Sequence, residues 1–419
     1  LIDPAERFDG SALKTSRQRL ENTYYFDRVR MTLEDVDEND LYTNLLVDVE
    51  EGKTGNFNFG GGYSTEQRFG VFAELRLNNF DITNPPKFSG GGQEFRLRTN
   101  IGEIRDQTSL SFTDPEIGGY PLAFGFDVYD ESYKYRGGID YTEETTGGQL
   151  RLGKVLSTYV SARTALRYED VEIEDFPKWV SPTLRRYRGD STTISSAWSI
   201  NRNTLDNYRD PSGGSNHEVV VTVAGLGGDN HFGKIEHDSS WYWPITSNKD
   251  WVLSYRTREG LVDEYGSSEF VPLAYRFFLG GTTTVRGYDT RDIGPKVRRG
   301  HFFGLQGDRV DNFLDWVDDR FDTNFSRYES IGGELRFINN IEVKYRVTEI
   351  LRLYSFVDFG GVWRTADDFD LGDVKYSAGI GMGFDIPRMG PIRVDYGIPI
   401  NPDDDQGSGR LHLFTGLQF

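Results

Sequence analysis

From residue 56 onward, segment after segment alternates large apolar or aromatic residues with polar or charged ones. No stretch approaches the roughly 18 consecutive apolar residues of a spanning helix. Around 106–114, Thr108, Leu110 and Phe112 oppose Gln107, Ser109, Ser111 and Thr113. Around 250–258, Trp251, Leu253 and Tyr255 oppose Val252, Ser254, Arg256 and Arg258. Around 334–345, Leu335, Phe337, Ile341, Val343 and Tyr345 oppose Glu334, Arg336, Ile338, Asn340, Glu342 and Lys344. A period of two is the period of a strand. Soluble sandwiches alternate as well. Here one face carries many charges and the other carries Leu and aromatics, as water inside and lipid outside require.

Composition narrows the reading further. The chain has 7 Trp, 23 Tyr and 29 Phe, 59 aromatics in all, beside 48 Gly. Disordered acidic chains lack aromatics. Lys and Arg number 47 against 66 Asp and Glu, so 47 − 66 gives −19. A surface that acidic repels phosphates, which excludes nucleic acid as a partner. With no Cys, disulfides, thiolate zinc sites and thiol nucleophiles are absent.

Clusters of Gly, Pro, Asn and Asp divide the pattern into sixteen strands, beginning near 56, 68, 93, 106, 122, 137, 157, 191, 216, 232, 249, 332, 350, 374, 391 and 410. Single-chain bacterial barrels have an even number of strands. In the last strand Leu411, Leu413, Thr415, Leu417 and Phe419 share a face, and it is expected to pair with the first to close the ring. Residues 1–52 read differently. Leu13 and Leu20 lie at helical spacing within 11–22, behind a cap at Asp9 or Ser11. Val29, Met31 and Leu33 then alternate, as do Thr43, Leu45, Val47 and Val49, around a turn-like run at 37–40. The expected fold class is all-β, a transmembrane antiparallel β-barrel of about sixteen strands over 56–419. The α+β piece before it is short for an independent domain and reads as the tail of a longer one.

The connection at about 262–330 is too long for a hairpin, since loops beyond about 12–15 residues are already uncommon. It contains Phe277-Phe278-Leu279-Gly280-Gly281-Thr282-Thr283-Thr284, then the tetrad Val285, Arg286, Gly287 and Tyr288, then Ile293-Gly294-Pro295. This tetrad behind a double glycine resembles the signature loop of the BamA-type outer-membrane protein assembly factors, the superfamily that joins POTRA domains to a barrel. Other segments share the likeness. N-T-L-D-N-Y-R-D-P-S-G-G over 203–214 resembles the family's entry to its ninth strand, and Gly332-Gly333 through Ile341-Glu342-Val343 resembles its twelfth. Phe356-Val357-Asp358-Phe359-Gly360 before Val362-Trp363 resembles the thirteenth. Ala378-Gly379-Ile380, with Gly390-Pro391-Ile392 and Tyr396, resembles the fourteenth and fifteenth. Arg19-Leu20, Tyr25-Phe26-Asp27 and Val29 resemble the end of a POTRA domain. The likeness covers most of the chain and is strongest over 200–400.

An arginine in a loop that re-enters a polar barrel needs carboxylate partners, because an unpaired desolvated guanidinium is costly. Strand parity puts Glu342 on the polar face, and Asp358 shares its face with Arg352, opposite Leu351, Leu353 and Val357. The resemblance implies that these two lumenal carboxylates are the partners of Arg286. In the first strand Gly60, Gly61 and Gly62 contribute no side-chain packing, so its pairing with 410–419 is expected to be weak, with Leu417 and Phe419 on the other side of that seam.

The expected catalytic, metal and cofactor inventory is empty. No nucleophile elbow, H-E-x-x-H or phosphate loop occurs. His217, His231, His237, His301 and His412 are scattered without ligand spacing, and Asp403-Asp404-Asp405 reads as an acidic hairpin tip. The resemblance implies insertion of other β-barrels into the bacterial outer membrane through a lateral seam, with the POTRA part facing the periplasm. Its implied partners are unfolded barrel clients, accessory assembly lipoproteins and outer-membrane lipid. The alternatives are a polypeptide-translocating transporter of the same superfamily (of the two-partner secretion or TamA type), an organellar import channel, or a passive porin or receptor.

Overall fold

The structure, a computed structural model, describes all residues except 1–7, 23–25, 36–42, 52–54, 137–139, 179, 209, 299–327, 387–389, 404–405 and 416–419. Helix α1 (Gly10–Asn22) starts where Asp9 Oδ1 accepts from the Ser11 and Ala12 amides at 2.8 and 3.4 Å. Strands β1 (Phe26–Asp35) and β2 (Thr43–Glu51) pair antiparallel in a sheet of their own.

Sixteen strands form a closed ring. In chain order they are β3 (Gly55–Ser64), β4 (Arg68–Phe80), β5 (Gln93–Gly102), β6 (Arg105–Asp114), β7 (Ala123–Tyr135), β8 (Tyr141–Ser157), β9 (Val160–Glu174), β10 (Gly189–Asn203), β11 (Gly214–Gly228), β12 (Phe232–Pro244) and β13 (Trp251–Glu264). The ring continues after two short strands, β14 (Lys296–Arg298) and β15 (Tyr328–Ser330), which pair only with each other. It ends with β16 (Leu335–Arg346), β17 (Leu351–Trp363), β18 (Lys375–Ile386), β19 (Gly390–Pro399) and β20 (Arg410–Thr415), and β20 pairs back to β3. Every neighbour is antiparallel, so β3, β5 and each alternate strand begin at one rim, called proximal here, and end at the distal rim.

Alternation decides what each face meets. Outward residues such as Val71, Val128, Leu150, Trp198, Ile380 and Ile398 are exposed. Their neighbours in sequence point inward and pair across strands: Arg96 with Glu74, Arg105 with Glu131, Arg151 with Asp127, Arg256 with Asp238 and Arg336 with Glu236, at 2.5–2.9 Å. An apolar wall around a charged lumen is the membrane-barrel pattern. At the distal rim α2 (Pro182–Arg185) caps on Ser181 and packs Leu184 with Val180, Tyr187, Leu273 and Ile331 over the mouth.

Candidate functional site

The connection between β13 and β16 does not stay outside the barrel. Phe277 and Gly333 exchange backbone hydrogen bonds of 2.9 Å, and the Ile293 amide donates to the Leu279 carbonyl at 3.0 Å. Between these ties the chain turns at Gly280 and Gly281, whose φ values of +108° and +102° disfavour any side chain. Val285 and Tyr288 then bury among Leu279, Ile293, Ile338 and Val362, where loop and wall share one apolar cluster.

That cluster delivers Arg286 to a set of carboxylates. Its Nε and Nη2 donate to the two oxygens of Asp358 at 2.7 and 2.8 Å, and its backbone amide donates to Asp358 at 3.1 Å. Its Nη1 reaches Glu342 at 3.0 Å and Asp395 at 3.2 Å. The guanidinium stacks 3.4 Å from the centroid of Phe356. Arg286 is 6% exposed and Asp358 is 0% exposed. Arg393 joins Glu342 at 2.6 Å and Asp395 at 2.8 Å, so two cations meet three carboxylates. Asn340 ties the loop to the wall by donating to the Thr284 carbonyl at 2.7 Å and to Asp358 at 2.8 Å. Burial makes each of these bonds strong and makes each costly to leave unmade.

The remaining tetrad residues also seat on the wall. Gly287, at φ +92°, lies against Gly397, and a Cβ on Gly397 would stand 2.6 Å from the Gly287 amide nitrogen. The Gly287 amide donates to His412 Nε2 at 3.0 Å, and the Tyr288 hydroxyl donates to the Tyr376 carbonyl at 3.2 Å. Loop residues also touch both sides of the closure. Thr282 donates through its amide and hydroxyl to Glu66 in the β3–β4 turn, and Arg410 of β20 pairs with Asp289.

At that closure β20 meets β3 at two described register positions, Phe414 with Ser64 and Thr415 with Tyr63. The other edge of β3 pairs with β4 at every position from Gly55 to Ser64. Gly60, Gly61 and Gly62 oppose Phe72, Val71 and Gly70 of β4. Leu417 and Phe419 lie outside the described residues.

Sequence reasoning missed Asp395, Arg393, His412, Glu66 and Arg291. Parity was available for three of them, since Arg393 and Asp395 alternate with Ile392 and Val394, and His412 with Leu411 and Leu413, as Glu342 does with Ile341 and Val343. Arg291 carried no such signal. Its Nη1 donates to the Tyr141 hydroxyl at 2.6 Å, and its guanidinium lies 3.5 Å from the Tyr135 ring centroid and 4.0 Å from that of Phe278. The 204–213 turn at the proximal rim is a second cluster of bonds. Asp206 accepts from the Ser212 and Gly213 amides at 2.9 and 3.0 Å and from Lys249 at 2.9 Å. Partial burial would raise its carboxyl, but the Ser212, Lys249 and Gly213 bonds outweigh burial and hold it below the usual carboxylate range. Asp210 binds Lys344, with Arg346 at 2.9 Å and Arg352 at 3.0 Å.

Residues 87–419 match the Omp85 superfamily domain. The outer membrane protein assembly factor BamA of Nitratidesulfovibrio vulgaris is 28% identical over 425 aligned residues, spanning 100% of this chain and 48% of that protein. The chain spans about half the length of the curated relatives it matches. Among solved structures, BamA of Haemophilus ducreyi lacking POTRA domains 1–3 superposes with a TM-score of 0.72 at 21% identity, covering 99% of this chain and 79% of that one. CdiB of Acinetobacter baumannii superposes with a TM-score of 0.60 at 14% identity, covering 96% and 67%. With the family match running over 87–419, the chain belongs to the Omp85 superfamily.

Proposed function

We propose that this barrel inserts other β-barrel proteins into a bacterial outer membrane by opening between β3 and β20. The observation that carries the reading is the run of three glycines, Gly60 to Gly62, within β3, the strand that β20 meets at Phe414 and Thr415 to close the ring. An unpaired edge exposes N–H and C=O groups, each costing several kcal/mol in lipid. A client strand that covers such an edge removes that cost, which is strand addition in a membrane. The glycines at 60–62 lower the packing that opposes opening. The anchored loop holds the adjoining wall of β16, β17 and β19 in register while the closure parts. No bond need be made or broken in a client.

On this reading residues 1–52 are the end of a POTRA domain, the proximal rim faces the periplasm, and clients, accessory lipoproteins and lipid are the partners. Export of a polypeptide through the lumen is the second reading, favoured by the fold shared with CdiB. A lumen occupied by the Arg286 loop, with Asp210 of the 204–213 turn bound to β16 and β17, weighs against both export and a passive pore without further movement.

Paired cysteines at Ser64 and Phe414, introduced into a chain with none of its own, test the proposal. Oxidation is expected to stop client insertion with the barrel still folded, and reduction to restore it. Full insertion by quantitatively crosslinked protein rules out lateral opening.

A further inference from the structure

Strands β11, β12 and β13 carry an array on their outer faces that the lumenal machinery does not use. Outward residues of these strands include Val219 and Val221, Ile235 and Trp243, and Trp251 and Leu261, all exposed to the lipid side. His217, His237, Ser239 and Glu259 share their parity and therefore their face. The register sets His217 opposite Ser239 and His237 opposite Glu259. In sequence these residues are scattered, and only pairing of three strands brings them together.

Their geometry is that of an activated serine. Ser239 Oγ lies 2.6 Å from His237 Nε2, and His237 Nδ1 lies 2.6 Å from Glu259 Oε2. Thr257 donates to the other oxygen of Glu259 and fixes the carboxylate. A second imidazole, His217, places Nδ1 2.9 Å from Ser239 Oγ. One proton arrangement satisfies every contact. His217 Nδ1–H donates to Ser239, Ser239 O–H donates to His237 Nε2, and His237 Nδ1–H donates to Glu259. Nucleophile, base and orienting carboxylate within hydrogen-bond reach are the signature of nucleophilic acyl transfer, wherever they occur in a fold. Polar and ionisable side chains on a lipid-facing wall are costly, and they persist where they serve a function. Along the same face, Ser239 is one step and the His237–Glu259 pair two steps from Trp241 stacked on Tyr255, with Trp251 stacked on Tyr345 beyond it. Such aromatic rows mark the membrane interface, where the ester groups of lipids lie and water is at hand.

We propose that Ser239, His237 and Glu259 form a hydrolytic site on the outer wall of the barrel, acting on the carboxylic esters of diacylglycerophospholipids. Ser239 is 1% exposed beneath His217 and Trp241, so rotation of the His217 ring uncovers it for substrate. Ser239 Oγ then attacks the ester carbonyl carbon and its proton passes to His237 Nε2. His217 returns to donate to the oxygen that gains charge. Collapse breaks the bond to the glycerol oxygen, which takes the proton from His237 and leaves as the lysophospholipid. A water molecule, deprotonated by His237, attacks the acyl-serine ester. Its cleavage releases the fatty acid and returns the proton to Ser239. Glu259 acts through His237 as a positioning residue.

The test uses the full chain in bilayers of dioleoylphosphatidylethanolamine and a fluorophosphonate probe that reacts with activated serines. Labelling at Ser239, located by peptide mass spectrometry, is expected together with oleic acid release. Both should vanish in Ser239→Ala and in His237→Ala, variants whose heat-modifiable migration reports a folded barrel. Glu259→Gln should cut release by on the order of a hundredfold or more and move the acid limb of its pH profile to lower pH. Release equal in wild type and folded Ser239→Ala, or no labelling of Ser239 in the folded wild type, overturns the proposal.

Discussion

Two parts of one barrel wall are built by different rules. Across β16, β17 and β19, side chains from three strands converge on one loop arginine, and each carboxylate has two or more charged or amide partners. Across β20 and β3, the described contacts are two register positions, side-chain bonds between Thr415 and Tyr63, and an amide from Thr65 to the Leu413 carbonyl at 3.0 Å. Among the described residues, backbone ladders hold every other neighbouring pair over longer runs. The difference teaches that a barrel need not be uniformly stable. Local opening free energies range widely within one fold, and parts that move in function come from the weak end. Here the loop spans both parts, touching Asp358 on one side and Glu66, His412 and Arg410 on the other.

The largest effect is expected at the anchor. Arg286→Ala leaves Asp358, Glu342 and Asp395 buried without their shared cation, a loss of about 3–5 kcal/mol. Its urea unfolding midpoint in detergent should fall, protease should reach the loop, and insertion should be impaired. An unchanged midpoint breaks the comparison from its strong side. Next comes Glu66→Gln, which weakens charge-assisted bonds worth about 1.5–3 kcal/mol each. It should loosen the closure and raise the crosslinking rate of probes across β3 and β20, while leaving the Arg286 site intact. Gly397→Ala sharpens the same contrast. The new Cβ meets rigid backbone at Gly287, at a cost of about 1–3 kcal/mol. Gly60→Ala meets only the Phe72 ring, which can turn into the lumen, and should cost less than about 1 kcal/mol. Smallest of all is Arg298→Ala, on the exposed position of β14, expected within about 0.5 kcal/mol of wild type.

Acid offers a separate handle on the proximal rim. The Asp206 carboxyl is held below its unfolded value, so its contribution is complete above that value and lost as pH falls through the lower, folded one. The distance between spin labels on residues 208 and 247 across the turn should therefore be insensitive to pH from 7 to 5 and broaden only in strong acid. Asp206→Asn should broaden it already at pH 7.

The alternation of outward apolar and inward polar residues made the barrel legible, because each strand has only two faces and lipid decides between them. Strand starts read from it fall within a few residues of those observed, the widest gap being at β8, which begins at Tyr141 rather than near 137. Within the lumen, parity put Glu342 and Asp358 on the inner face and the family resemblance implied that they meet Arg286, but neither told how many carboxylates the guanidinium reaches, since Asp395 depends on β19 standing beside β18 and β20. The Asp210 cluster was hidden for a related reason. Its cations lie 134 or more residues away, and only the curvature of the closed ring brings the 204–213 turn to β16 and β17. The outer array of His217, His237, Ser239 and Glu259 was hidden more deeply, because polar residues on an outward face look like interruptions of the pattern.

Amide hydrogen exchange on the folded barrel in lipid, resolved to individual strands, tests the central asymmetry most directly. Amides of β20 and those of β3 that face it should exchange at least a hundredfold faster than those of β16 and β17, and Arg286→Ala should narrow the gap by speeding the protected strands. Equal protection around the whole ring would contradict the account.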